Sequence, residues 1–112
     1  MAMTESERIK CEEIINSSVA LPVIVVPILV NTTLKLADVF NVSITNADAT
    51  SMVMEKVKQY RATKGSLRYI LRYLPLPSAP HFNSTVHMIE KVGWAIAEEF
   101  DAHRNETYPI NN

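Results

Sequence analysis

Residues 27–40 read PILVNTTLKLADVF, and the placing of their few polar side chains decides the fold. Asn31, Lys35 and Asp38 recur at i, i+4 and i+7, a single strip on an α-helix, while Leu29, Thr33, Leu34, Leu36, Ala37, Val39 and Phe40 fill the rest of the circumference. A helix with so little polar surface has to be covered on most sides. It therefore predicts the centre of a helical protein.

Working toward the N-terminus, residues 19–30 form the longest apolar run, interrupted by Pro22 and Pro27. Each proline removes a backbone donor and disfavours helical geometry in the residue before it, so a break or kink is expected near residues 21–27. Before it, residues 5–18 fit a first helix with Ile14 and Ile15 inside and Ile9, Glu12 and Glu13 outside. Thr4 followed three residues later by Glu7 is a capping-box signature for its start.

Toward the C-terminus, Asn41 suits the left-handed position that ends a helix, and Thr45 with Asp48 suits the start of the next. A third helix is expected over residues 46–61, with an inner stripe of Ala49, Met52, Val53, Val57 and Tyr60. Gly65 then separates a short fourth helix over residues 66–74. Pro75, Pro77 and Pro80 make residues 74–81 a stiff non-helical linker. A fifth helix over residues 84–101 carries Val86, Ile89, Val92, Gly93, Ile96 and Phe100 inward, with Glu90, Glu98, Glu99 and Asp101 opposite. The polar tail, residues 103–112, is expected to fray. The expectation is thus an all-α bundle of four to five helices in one domain spanning residues 1–112, ordered over about residues 5–102.

At 112 residues the chain admits one ordinary domain, and at 47% hydrophobic it is too apolar for a disordered tail. Its only glycines, Gly65 and Gly93, cannot build a phosphate-binding loop, and no cofactor is expected. Gly93 lies inside a helical pattern, where glycine costs about 1 kcal/mol relative to alanine. With its neighbour Trp94 it marks a place where another helix comes close. A single cysteine, Cys11, excludes an internal disulfide and reads as a buried structural residue. His81, His87 and His103 have no metal-ligand spacing, and no catalytic constellation is found. The lead before the apolar run is acidic where a secretory signal would be basic, which suits a cytoplasmic protein, peripheral if it meets a membrane. Asn16, Asn31, Asn41, Asn83 and Asn105 each begin an N-x-[ST] triplet, which the clustering of Asn, Ser and Thr at helix ends explains better than glycosylation does.

Charge is distributed unevenly: residues 1–55 hold three basic against seven acidic side chains, and residues 90–112 two against five. Between them Lys56, Lys58, Arg61, Lys64, Arg68 and Arg72 meet no acidic residue, with Tyr60, Tyr69 and Tyr73 interleaved. Such a surface suits anionic headgroups or another anionic partner. The plainer account is a solvated face paired with the acidic first and fifth helices of the same domain. The net charge of −1 favours that account and argues against nucleic acid.

The segments RIKCEEII at residues 8–15, ALP at 20–22, PILV at 27–30, LADVFNV at 36–42, LPLP at 74–77, Asn83 and GWAIAEEF at 93–100 occur in an order that carries a resemblance. Over residues 8–101 the chain resembles the helical domain of unknown function that follows the G domain in Era-like GTPases, related to YcjF-type membrane proteins. That family usually has a glycine where Asn41 stands. The resemblance implies a regulatory or membrane-proximal appendage working with a GTPase domain in cis or in trans, and it implies no catalytic residue. The function expected is a non-enzymatic helical interaction module associated with a GTPase or a membrane surface, using Lys56, Lys58, Arg61, Lys64, Arg68 and Arg72. The alternative is a stand-alone protein-binding module of immunity, effector or inhibitor type that uses the fifth helix. A homodimer is one way to cover the apolar residues 19–30.

Overall fold

The computed structural model describes residues 3–19, 25–71 and 84–109, and they form a four-helix, all-α bundle. The helices are α1 (Glu5–Val19), α2 (Val25–Val39), α3 (Asn46–Leu71) and α4 (Ser84–Ala102). Helices α2 and α4 pack against each other along the short diagonal, and α1 and α3 each lie against both of them. Helices α1 and α3 do not touch, and so occupy opposite corners of the bundle. The centre is therefore shared by α2 and α4, rather than held by α2 alone.

The residues that close each helix are those the local chemistry calls for. The Thr4 amide donates to Glu7 Oε1 at 2.9 Å and the Glu7 amide to Thr4 Oγ1 at 3.1 Å, a reciprocal cap on α1. The Asp48 amide donates to Thr45 Oγ1 at 3.2 Å at the start of α3. After α2, Asn41 takes a left-handed φ of 56°, and the Val42 amide reaches back to the Ala37 carbonyl at 2.9 Å. Pro27 sits in the first turn of α2, where its missing N–H would have had no intrahelical partner. Of the expected break at residues 21–27, residues 21–24 lie outside the described residues, and residues 25–27 already belong to α2.

Two expectations are corrected. Gly65 does not separate two helices: α3 runs through it to Leu71, since a glycine weakens a helix by about 1 kcal/mol but keeps its backbone N–H for the helical ladder. No separate fourth helix over residues 66–74 exists among the described residues, and the linker at 74–81 lies outside them. The tail does not fray at His103. Residues 103–109 fold back over the α2–α3 connection, with the Ser43 amide donating to the Glu106 carbonyl at 3.0 Å and the Tyr108 amide to the Ser43 carbonyl at 2.7 Å. Asn105, also left-handed at φ 65°, accepts a bond from the Asn41 side chain at 2.9 Å.

The core is a continuous cluster from Cys11 and Ile15 on α1 through Leu29, Leu36 and Ala37 on α2 to Val53 on α3 and Ile96 and Phe100 on α4. Gly93 faces Ile15 of α1. A Cβ built there would lie 3.0 Å from Ile15 Cγ1 and 3.2 Å from its Cδ1, so α4 rests on α1 through the missing side chain. Trp94 beside it is half-buried and packs on the core.

Candidate interaction face on the third helix

On α3 the basic residues divide according to helical position. Lys56 stands near the buried stripe of Met52, Val53 and Val57, and its ammonium lies 3.8 Å from Glu99 on α4. This Glu99 oxygen is itself buried and without a hydrogen-bond partner, so Lys56 is the cation that offsets its charge. Lys58 and Arg61 point outward, are exposed, and make no ion pair among the described residues. Met54, Lys58, Arg61, Gly65 and Arg68 succeed one another at four- and three-residue steps, which on a helix is a single line along one side. Lys64 stands three residues beyond Arg61 on the same helix. Arg72 lies outside the described residues.

Helix α3 also outruns its neighbour. Tyr60 on α3 meets His87 on α4 with ring centroids 5.9 Å apart. Residues 61–71 of α3 continue past that contact, while only residues 84–86 of α4 precede it. At about 1.5 Å per residue, the interval from Lys58 to Arg68 spans about 15 Å of helix.

The pairing of this face with the acidic first and fifth helices, the plainer account of the charge layout, is absent from the described residues apart from Lys56 with Glu99. Helix α1 is on the opposite corner, and three of its four acids, Glu5, Glu7 and Glu12, are paired there. Arg8 bridges Glu5 at 2.6 Å and Glu12 at 2.8 Å. Glu7 receives two bonds from Arg104 of the tail, at 2.7 and 2.8 Å. The same guanidinium holds Asp101 and lies 5.2 Å from the centre of the Phe40 ring. Hydrogen bonding to Arg104, followed by the Thr4 amide, holds the Glu7 carboxyl down to about 2. The expected solvated face of Glu98, Glu99 and Asp101 is thus true of Glu98 alone, because Asp101 fastens the tail and Glu99 faces Lys56.

Cys11 lies in the core, and burial first, then the charges of Glu7 and Asp101, push its thiol up to about 11. At neutral pH it is a protonated thiol without solvent access, poorly suited to nucleophilic attack. Among the described residues no group of three or more His, Cys, Asp and Glu side chains could hold a metal ion. His103 instead bonds Glu106 at 2.7 Å, and His81 lies outside the described residues.

One feature absent from the sequence reading is a cleft of about 190 Å³ between α1 and α2, lined by both polar and apolar groups, among them Ser17, Asn31, Lys35, Pro27 and Ile28. At its floor Ser18 donates to the Ile14 carbonyl at 3.0 Å and Thr32 to the Ile28 carbonyl at 2.9 Å, and the two hydroxyls also bond each other. Two hydroxyl protons serve these three contacts, so one of them is shared between a carbonyl and the facing hydroxyl. The N-x-[ST] triplets at Asn16 and Asn31 supply this contact, a signal legible only once α1 and α2 are known to meet.

Among the described residues no helix is long and apolar enough to cross a membrane. No known family model matches the chain, and no curated protein or solved structure matches it.

Proposed function

We propose that this chain is a non-enzymatic helical interaction module that holds an anionic partner along the outer side of α3. The observation that supports the reading is the exposure of Lys58 and Arg61, which make no ion pair among the described residues, on the corner of the bundle opposite acidic α1. Unpaired surface cations in a line attract an extended anion by summed Coulomb interaction, and salt screens that attraction. The surfaces such a module serves are a layer of anionic headgroups or an acidic face of a GTPase domain. Arg61, Arg68 and Lys58 form the working row with Lys64 beside it. Lys56 belongs to the fold through Glu99.

The test is titration of the purified protein with poly-L-glutamate at low and high salt. Binding that weakens with salt, survives Lys56→Gln, and is lost in the fourfold variant Lys58→Gln, Arg61→Gln, Lys64→Gln, Arg68→Gln is the expected result. A double control lacking Lys10 and Lys35, on other helices, compared with the double variant Lys58→Gln, Arg61→Gln, separates the row from net charge. Equal binding by the fourfold variant would overturn the reading.

A further inference from the structure

From the layout of α3 we infer that its anionic partner is the headgroup layer of a lipid bilayer, met by α3 lying in the plane of the surface. The inference rests on the proposed function above and names the partner of that same face.

Three observations carry it. The outward row is nearly devoid of apolar anchors, since among the described side chains of that row only Met54, 55% exposed, is large and hydrophobic. A stable protein interface centres on desolvated aromatic or aliphatic residues and is depleted of lysine at its core. A headgroup layer needs no such anchor, because each cation near its surface gains attraction independently of the shape of the partner. Second, Lys58 and Arg61 are exposed one turn apart on α3, and the register of the helix carries the same line on through positions 65 and 68, so a flat anionic plane can lie along it with the helix axis parallel to it. Third, α1 and α3 occupy opposite corners, so an approach by α3 carries Glu5, Glu12 and Glu13 to the far side. An anionic plane then selects one orientation of the bundle, since turning it over presents carboxylates. Binding is peripheral: among the described side chains the row holds charges that stay at headgroup level and no apolar stripe that would enter the acyl chains.

The experiment is flotation of the full chain with vesicles of phosphatidylcholine alone and with about one-third phosphatidylserine, at low and high salt. The expected result is flotation only with phosphatidylserine, reversed by salt. Each cation removed from the row should weaken partitioning by about fivefold. The fourfold glutamine variant should therefore not float, while Lys56→Gln floats as the parent does. Unaltered far-ultraviolet circular dichroism shows that the variants are folded. Equal flotation with both vesicles would overturn the inference, since it would mean apolar insertion. Binding of poly-L-glutamate without flotation would also overturn it, and would leave the anionic-partner reading intact with an acidic protein as the partner. Binding of neither probe would overturn both.

Discussion

Replacing Gly93 with alanine sets two effects of known size against each other. Alanine in a helix interior is favoured over glycine by about 1 kcal/mol, through lower chain entropy in the unfolded state. Against this, the added Cβ would stand 3.0, 3.2 and 3.5 Å from three carbons of Ile15, itself 1% exposed and enclosed by the core. Overpacking of that kind costs about 1–3 kcal/mol. Helix α1 has little freedom to retreat, because its first turn is fastened to the tail through Glu7 and Arg104. Taking about 2 kcal/mol for the clash, the net expectation for Gly93→Ala is a loss of about 1 kcal/mol. Ile15→Ala, which removes all three carbons, costs about 2–5 kcal/mol alone. In that background Gly93→Ala should become stabilising by about 1 kcal/mol, because only the helix-propensity gain remains. The coupling between the two positions is then about 2 kcal/mol, well above the ~0.5 kcal/mol scatter of independent sites. Urea denaturation followed by the fluorescence of Trp94, the single tryptophan and the neighbour of Gly93, measures all four stabilities. Ile15→Val, lacking only Cδ1, should fall between the two backgrounds. If Gly93→Ala stabilises the protein equally with Ile15 and with Ala at position 15, the helices do not meet at Gly93 and the packing argument is wrong.

The remaining predictions concern the tail, the thiol and the core. Glu7 titrates well below its ordinary range when folded and normally when unfolded, so its contribution to stability is full above about pH 5 and declines as pH falls toward 2; Glu7→Gln or Arg104→Gln should remove that part of the acid dependence of the melting temperature. Cys11 shifts the other way: its stabilising contribution is whole below the ordinary thiol range near 9 and is lost as pH rises toward 11. A thiol reagent at pH 8 should label native Cys11 only at the rate of unfolding, and rapid stoichiometric labelling would contradict its burial. Phe100→Ala empties a fully buried site and should cost about 3–5 kcal/mol in chemical denaturation.

The helix boundaries near their caps were legible because the deciding contacts are between neighbours in sequence. Thr4 with Glu7 and Thr45 with Asp48 are three residues apart, and their bonds depend on little besides the backbone between them. The break assigned to Gly65 failed for a related reason. A glycine is a weak local signal, and the segments on either side of it both favour a helix. The tail is held in place although its polarity predicts freedom, because its anchors are distant in sequence. Arg104 can be seen to match Asp101 in the sequence, but its second partner, Glu7, is 97 residues away.

Residue order alone carries the periodic faces: the strip of Asn31, Lys35 and Asp38, the inner stripe of α3, the glycine that admits a neighbour, and a basic segment without acids. Periodicity fixes which side of a helix is apolar, but leaves open which helix that side meets. The tertiary structure decided that Ile15 is the side chain against Gly93, and that Lys56 is drawn inward to Glu99 while Lys58 and Arg61 stay outside. It also placed acidic α1 on the corner opposite basic α3. The physical reason is that burial is a sum over the whole bundle: α2 and α4, the most apolar helices, take the shared centre, and the more polar α1 and α3 are left on opposite flanks with their charges facing away from each other.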